Sequence, residues 1–555
     1  MISRIRAALN LREGEERTVF LMLAQYFFMG AAMLFVQSAS FALFFTAWDT
    51  TAMPYIYLGI AVIVSSITAL FLKISARTSL AQFLILSILF LLFGTIALRI
   101  GLAITTSKWL MLILPIWSQT LVNISVTAFW TLAGNLFDVR QGKRIFGLMN
   151  AGSWLAYVAM GPFTTPLVNA IGTENLYTVI ALCVLISFVL QQITLKKNPR
   201  TYATPESPEG ETQKTSILHY LRNKYIFLIF ALITTWRVSY FILDNIFYDR
   251  AALRYPSTAE LAGFIGGFFG LVGLLGFVTD MFLTGRIISR FGLRAGLLAT
   301  PALTVLCTAA LAVTGSINPN LILVLFWLAV AGKFANEGVG FSLDQTASAL
   351  LYQPIAESDR IRAQTITEGI VQPLAIGLAG LLLLLFNTIL KFDAIQLSFI
   401  YLLSGTIWIG ICLALIRAYP NALTEALHKH RFGDKGIPLA DLVSKEIVIN
   451  ALKSPHPNEA LYALELLEKS SSENFTEILV QQLRSPYPEV RIYAAKSIER
   501  LKINEALSEI EVLFQKDAVP NVRQIAACTW SALSKNAKDA LKLVTAPTRT
   551  LHTAL

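Results

Sequence analysis

Apolar stretches about twenty residues long, separated by short polar or basic loops, follow one another from Thr18 to Arg417. An α-helix needs roughly 20 apolar residues to cross about 30 Å of hydrocarbon, so the pattern predicts twelve spans. They fall near residues 18–46, 54–73, 81–98, 108–136, 146–170, 175–195, 225–248, 261–284, 295–315, 320–350, 363–389 and 395–417. The longest must tilt or overrun the bilayer. Past Arg417 the period becomes amphipathic and helical.

In that last region Pro457, Pro488 and Pro520 recur at spacings of 31 and 32, in "SPHPNEALYALELLE", "SPYPEVRIYAAKSIERL" and "DAVPNVRQIAACTWSAL". Each Pro suits the first position of a helix, where its missing N–H costs little. A second helical stretch follows each, as in "ENFTEILVQQL" and "NEALSEIEVLF". A helix pair repeated three times predicts a short α-solenoid, and Pro-x-Val-Arg before an Ala-rich helix resembles HEAT repeats. The expected fold is all-α. Its expected parts are a six-helix bundle over 1–195, a linker over 196–224, a second six-helix bundle over 225–417 and a HEAT-like cytoplasmic domain over 421–555.

Composition agrees with membrane spans: of 555 residues, 55% are hydrophobic and only 14% charged, against roughly a quarter charged in soluble domains. The net charge of +10 does not point to nucleic acid, because residues 421–555 hold 17 basic and 16 acidic groups, leaving 28 against 19 on the membrane part. With a cytoplasmic N-terminus, twenty Lys and Arg fall in cytoplasmic loops and five in the opposite ones. That is a positive-inside bias with both termini cytoplasmic. The first apolar stretch is too long for a signal-peptide core and is expected to remain as a span. Cys183, Cys307, Cys412 and Cys528 have no metal or redox spacing and read as small buried apolar residues. No cofactor or metal motif is present. His428 and His430, beside Lys429 and Arg431, read as a juxtamembrane segment near lipid headgroups. The sequence also has no Walker-type loop, zinc spacing or nucleophile motif, so an enzyme is not expected.

The Pro-, Glu- and Thr-rich stretch Lys196 to Ser216 divides the spans six and six. "KRIFGLMNAG" from Lys143 and "RIRAQTITEG" from Arg360 align at an offset of 217, each a basic loop opening a helix. Two six-helix repeats around a central site is the plan of major facilitator transporters. Span eight carries glycines at 263, 266, 267, 270, 273 and 276, a spacing that lets helices approach closely in lipid.

Ionisable residues inside the spans supply the candidate chemistry. A charge at mid-bilayer costs roughly 2.5–3.5 kcal/mol on insertion scales and is expected to face a bundle interior or an aqueous cavity. At 100° per residue, Lys333, Glu337 and Asp344 lie on one stripe of span ten. In span seven Arg237 and Asp244 are seven residues apart, with Tyr240 between them. Span eleven adds Gln364, Glu368 and Gln372, and span four adds Gln119, Asn123 and Thr127. Arg237 and Lys333 are candidate contacts for an anionic group, with Gln119, Asn123 and Tyr240 as neutral hydrogen-bond partners. Glu337, Glu368, Asp244 and Asp344 are candidates for coupling or charge balance. Four carboxylates against two cations leave a surplus, and Glu337 or Glu368 is the expected proton-coupling site. The alternative is purely structural ion pairing, Arg237 with Asp244 and Lys333 with Glu337.

Four stretches carry a family resemblance: "REGEERTVFLMLAQYFF" (Arg12–Phe28), "LFFTAWDTTAMPYIYLGIAVIVSSITALFLKI" (Leu43–Ile74), "FWTLAGNLFDVRQGKRIFGLMNAGSWLA" (Phe129–Ala156) and "LYQPIAESDRIRAQTITEGIVQPLAIGLAG" (Leu351–Gly380). Over residues 10 to 420 the chain resembles the ATP/ADP translocases, the nucleotide transport proteins, including a bacterial branch that appends HEAT repeats. The resemblance implies a twelve-helix facilitator-like fold in a bacterial inner membrane and exchange or proton-coupled uptake of nucleotides by alternating access. In that family membrane-embedded Lys, Arg and Glu hold the nucleotide phosphates, and Arg237, Lys333 and Glu337 occupy suitable places. Gln119 and Asn123 depart from this pattern by being neutral, and a central charge of about minus two disfavours a multiply charged anion. A proton-coupled carrier of a zwitterionic or cationic solute is therefore an alternative. So is a membrane-anchored HEAT scaffold that binds a cytosolic protein.

Overall fold

A computed structural model describes residues 15–75, 77–137, 139–197, 217–279, 282, 284–428, 442–454, 456–469 and 475–534. The linker core at 198–216 and His430 lie outside the described residues. Among the described residues there is no β-strand.

Twelve helices of spanning length follow the hydrophobic pattern: α1 (Glu16–Ala47), α2 (Thr50–Phe71), α3 (Leu80–Ile104), α4 (Lys108–Leu136), α5 (Val139–Ile171), α6 (Leu176–Lys197), α7 (Lys224–Arg254), α8 (Thr258–Val278), α9 (Thr284–Ile317), α10 (Ile322–Phe334, continuing to Leu351), α11 (Asp359–Ile389) and α12 (Ala394–His428). Eleven are apolar enough to cross a membrane on composition alone, and α5 is the one that is not. Its sequence explains the difference. α5 opens on Arg140, Lys143 and Arg144 and carries Asn150, Ser153, Pro162 and Pro166; it packs between α1 and α8, with Asn150 and Ser153 half-buried and the two prolines exposed. The chain is a multi-pass membrane protein. A short helix, Ile217–Arg222, precedes α7 within the stretch expected to be linker.

Local chemistry sets the boundaries. Ser79 and Gln82 form a reciprocal capping box at the start of α3, the Asn223 side chain accepts from the Tyr225 and Ile226 amides to open α7, and Ser257 caps α8. Each cap satisfies amides that the first helical turn leaves unpaired. In α9 the backbone breaks helical form at Gly292, at φ 71° and ψ −172°, a conformation that suits glycine.

Contacts divide the chain into two compact units, one of residues 1–287, 294–349 and 362–415, the other of 288–293, 350–361 and 416–555. In the first, the N- and C-terminal halves meet along α5–α8, α1–α8 and α2–α11. α5 packs on α8 through the glycine stripe: a Cβ on Gly161 would stand 2.5 Å from the Gly270 Cα, and one on Gly266 would stand 2.3 Å from Thr164 Oγ1. α2 packs on α11, where a Cβ on Gly380 would lie 3.0 Å from Leu58. Helix association in lipid depends on such close packing because apolar burial gives no drive there.

The second unit contains α13 (Leu442–Ala451), α14 (Pro457–Lys469), α15 (Phe475–Gln482), α16 (Pro488–Leu501), α17 (Leu507–Lys516) and α18 (Pro520–Leu533). Pro488 and Pro520 sit in the first turn of their helices. The arginine three residues later does the same work in both: Arg491 Nη1 donates to the Ser485 carbonyl at 2.8 Å and Arg523 Nη1 to the Asp517 carbonyl at 2.6 Å, each six residues back. Arg491 also holds Asp517 through two bonds of 2.7 and 2.9 Å.

Candidate functional site

The charges on α7 and α10 converge. Lys333 is 1% exposed, and its Nζ lies 2.7 Å from Asp244 Oδ1 and 2.8 Å from Glu337 Oε1. One ammonium thus serves two carboxylates. The Tyr240 ring faces the same ammonium at 4.0 Å, and its hydroxyl donates to Glu337 Oε1 at 2.7 Å. From α2, in the other half of the bundle, the buried Tyr57 hydroxyl donates to Asp244 Oδ2 at 3.1 Å. Every charge in this cluster has a partner, as burial in a low-dielectric interior requires.

Arg237 lies two turns before Asp244 on α7. It makes no ion pair with that carboxylate: its Nη2 donates to Gln372 Oε1 of α11 at 3.0 Å, its guanidinium lies 4.4 Å from the Trp236 ring centroid, and its Nε is buried without a hydrogen-bond partner. A guanidinium held by one neutral amide keeps its full attraction for an anion.

The single stripe expected on span ten is broken. From Ala335 to Gly340 the helix winds in a wider, π-helical turn, and each such turn inserts about one residue, which rotates everything beyond it by roughly 100°. Asp344 therefore leaves the Lys333 face and accepts from Thr300 Oγ1 of α9 at 3.0 Å. A second wide turn spans Thr367–Val371 of α11. Gln364 is half-buried and Glu368 exposed, while Gln372 reaches Arg237. Asp344 and Glu368 thus stand outside the cluster, and the expected central charge of minus two becomes zero: Arg237 and Lys333 against Asp244 and Glu337.

Gln119 and Asn123 also stand apart. The Asn123 side chain is exposed and donates to the Gln119 carbonyl at 2.8 Å. They begin a polar row at intervals of four, continued by Thr127, Thr131 and Asn135, in which Thr131 and Asn135 likewise bond to the backbone one turn back. Tyr57 and Thr300 were not singled out from the sequence. A hydroxyl in an apolar run was the only signal for Tyr57; for Thr300 it was the four-residue spacing of Thr300, Thr304 and Thr308.

At the end of the bundle away from the basic loops, the two halves are tied together. Thr50 Oγ1 donates to Asp249 Oδ1 at 2.9 Å, Asn387 Nδ2 to the Thr50 carbonyl at 2.9 Å, and Thr388 Oγ1 to the Thr51 carbonyl at 2.6 Å. Phe41 of α1 stacks on Tyr248 of α7 just below, with centroids 4.0 Å apart. These contacts join the two halves at this far end.

The pattern of the Major Facilitator Superfamily matches residues 131–354. ADP,ATP carrier protein 2 of Chlamydia trachomatis is 22% identical over 370 residues, covering 58% of this chain and 67% of that protein. ADP,ATP carrier protein 1 of Chlamydia pneumoniae is 22% identical over 213 residues, and the chain spans only 41% of its length. Among solved structures, a substituted form of the nucleoside transporter NupG superposes with a TM-score of 0.54 at 10% identity, covering 72% of this chain and 99% of that one.

Proposed function

We propose that this chain, a relative of the ADP,ATP carrier proteins with a major facilitator fold, is a secondary transporter that moves a nucleotide by alternating access. The observation that carries the reading is Arg237, a half-buried cation of α7 whose hydrogen-bonded partner is a neutral amide. A phosphate group is the natural counter-ion for such a guanidinium, and Trp236 and Tyr240 beside it offer aromatic surface to a base. Lys333 is held in reserve. An incoming phosphate gains the ammonium only by displacing Asp244 or Glu337, so substrate charge trades against the cluster's internal pairs. Tyr57 ties Asp244 to the opposite half, and loosening that carboxylate loosens the contact between halves.

The bacterial relatives and the loop charges support placement in a bacterial inner membrane with the basic loops cytoplasmic. The substrate is carried and not chemically changed. The repeated arginine clasp supports a HEAT-like array in α13–α18, a type of surface that binds proteins, and a cytosolic protein is its proposed partner.

Purified protein in liposomes, given labelled nucleoside mono-, di- and triphosphates with and without a proton gradient, is expected to take up at least one of them. Arg237→Ala is expected to lose that uptake. Failure with every nucleotide, together with uptake of a zwitterionic or cationic solute, would exclude the nucleotide reading.

A further inference from the structure

Asp344 sits inside the membrane part of the protein without a cation. Its Oδ1 has a single partner, Thr300, and its Oδ2 is buried with none. The carboxyl borders a cavity of about 10 Å³ lined by Leu232, Ile233, Trp236, Leu297, Ser348 and Trp408, at the lower limit of room for one water molecule. Among the described residues no Lys, Arg or His forms an ion pair with it. Tyr401 and Cys412 on α12 interact electrostatically with it, whereas Arg294 on α9 and Arg417 on α12 are exposed. On α7 Arg237 is turned to Gln372, and Lys333 on α10 is occupied by two other carboxylates. An ionised carboxylate so placed would lack the pairing that buried charge requires, whereas the acid form needs only modest solvation.

A file of hydroxyls leads from this carboxyl to the central cluster. Thr300, Thr304 and Thr308 are buried along one face of α9. Thr300 lies against Gly340, where a Cβ would come within 2.7 Å of its Cγ2, and Thr308 lies 4.0 Å from the corresponding position on Gly332, next to Lys333. The Thr308 hydroxyl is buried without a hydrogen-bond partner, whereas the buried Tyr401 hydroxyl is hydrogen-bonded to Thr304 and interacts electrostatically with both Asp344 and Lys333.

We propose that Asp344 is a proton-binding site of the transport cycle, carrying its proton in the conformation seen here. An O–H bond forms at Oδ2 with a proton taken from water and breaks when the proton returns to water in another conformation. The threonine and tyrosine hydroxyls link that site to the Lys333 cluster. The inference rests on the transport reading for its consequence, but the protonation itself is measurable without transport.

Infrared spectra of the reconstituted wild-type protein at neutral pH are expected to contain a carboxylic-acid carbonyl band that shifts on carbon-13 labelling of aspartate and vanishes in Asp344→Asn. No aspartate-sensitive band in the wild type, or a band that persists in the variant, overturns the assignment. Where Asp344→Asn misfolds, Asp344→Glu decides the matter, because the band of Asp344 then loses its sensitivity to aspartate labelling whereas that of any other aspartate keeps it. In liposomes, a proton gradient is expected to stimulate nucleotide uptake by the wild type, with loss of that stimulation in Asp344→Asn. Stimulation that survives the substitution also overturns it. Should the wild type move no nucleotide at all, the transport reading fails while the infrared result still decides the protonation.

Discussion

A lysine enclosed by helices and shared by two carboxylates is sensitive to one-sided change. Lys333→Ala strands Asp244 and Glu337 together in a low-dielectric interior, and removing one partner of a buried pair typically costs about 3–5 kcal/mol. A marked fall in thermal midpoint in detergent is expected, with most of it recovered when Lys333→Met is combined with Asp244→Asn and Glu337→Gln. If the single variant unfolds like the wild type, Lys333 does not hold the cluster together. The ionisable members of the cluster were legible in the sequence because charge in an apolar run is conspicuous. Their partners were not. Arg237 bonds Gln372 and not Asp244, and Asp344 bonds Thr300, because two wide turns shift helical phase where a uniform 100° step was assumed. Tyr57 was beyond a helix-by-helix reading, since its role depends on a carboxylate 187 residues away.

At the scale of elements, the number of spans was readable because hydrocarbon thickness sets a minimum helix length, whereas α9 begins at Thr284 and not near 295, and α12 runs on to His428 and not to 417, because a helix can continue past the bilayer. α5 illustrates the limit of hydropathy: its composition falls short of a membrane span, and its packing between α1 and α8, a tertiary fact, sets its place. The glycines of α8 separate into two kinds. A Cβ at Gly266 would strike Thr164, whereas nothing lies within 4 Å of one at Gly267. Gly267→Ala is expected to stabilise by up to about 1 kcal/mol through helix propensity. Gly266→Ala is expected to destabilise by about 1–3 kcal/mol through overpacking. Thermal unfolding of the two variants compares adjacent residues of one helix, and equal shifts would mean that the α5–α8 contact is looser than described.

For the whole molecule, the ties at the far end define one state of a cycle. The proposed transport cycle requires Thr50 and Asp249 to separate and rejoin. In a background without the native cysteines, Thr50→Cys with Asp249→Cys is expected to cross-link on oxidation and to stop uptake, with recovery on reduction. Uptake that continues through a complete cross-link would mean that this end never opens. The repeated basic motif and the polar stretch between spans six and seven predict a division into halves, but no sequence pattern shows at which end the helices are tied. That depends on which of two packings the halves adopt.

The α5–α8 seam has a mechanical consequence. Where Gly161 faces Gly270, backbone meets backbone, and on either side Thr164, Thr165 and Tyr157 seat in the notches at Gly266, Gly263 and Gly273. Such a seam acts as a toothed hinge: it fixes where the halves pivot, and any turn about it must draw those side chains past the glycines, so the seam shares with the end ties the resistance to reorientation.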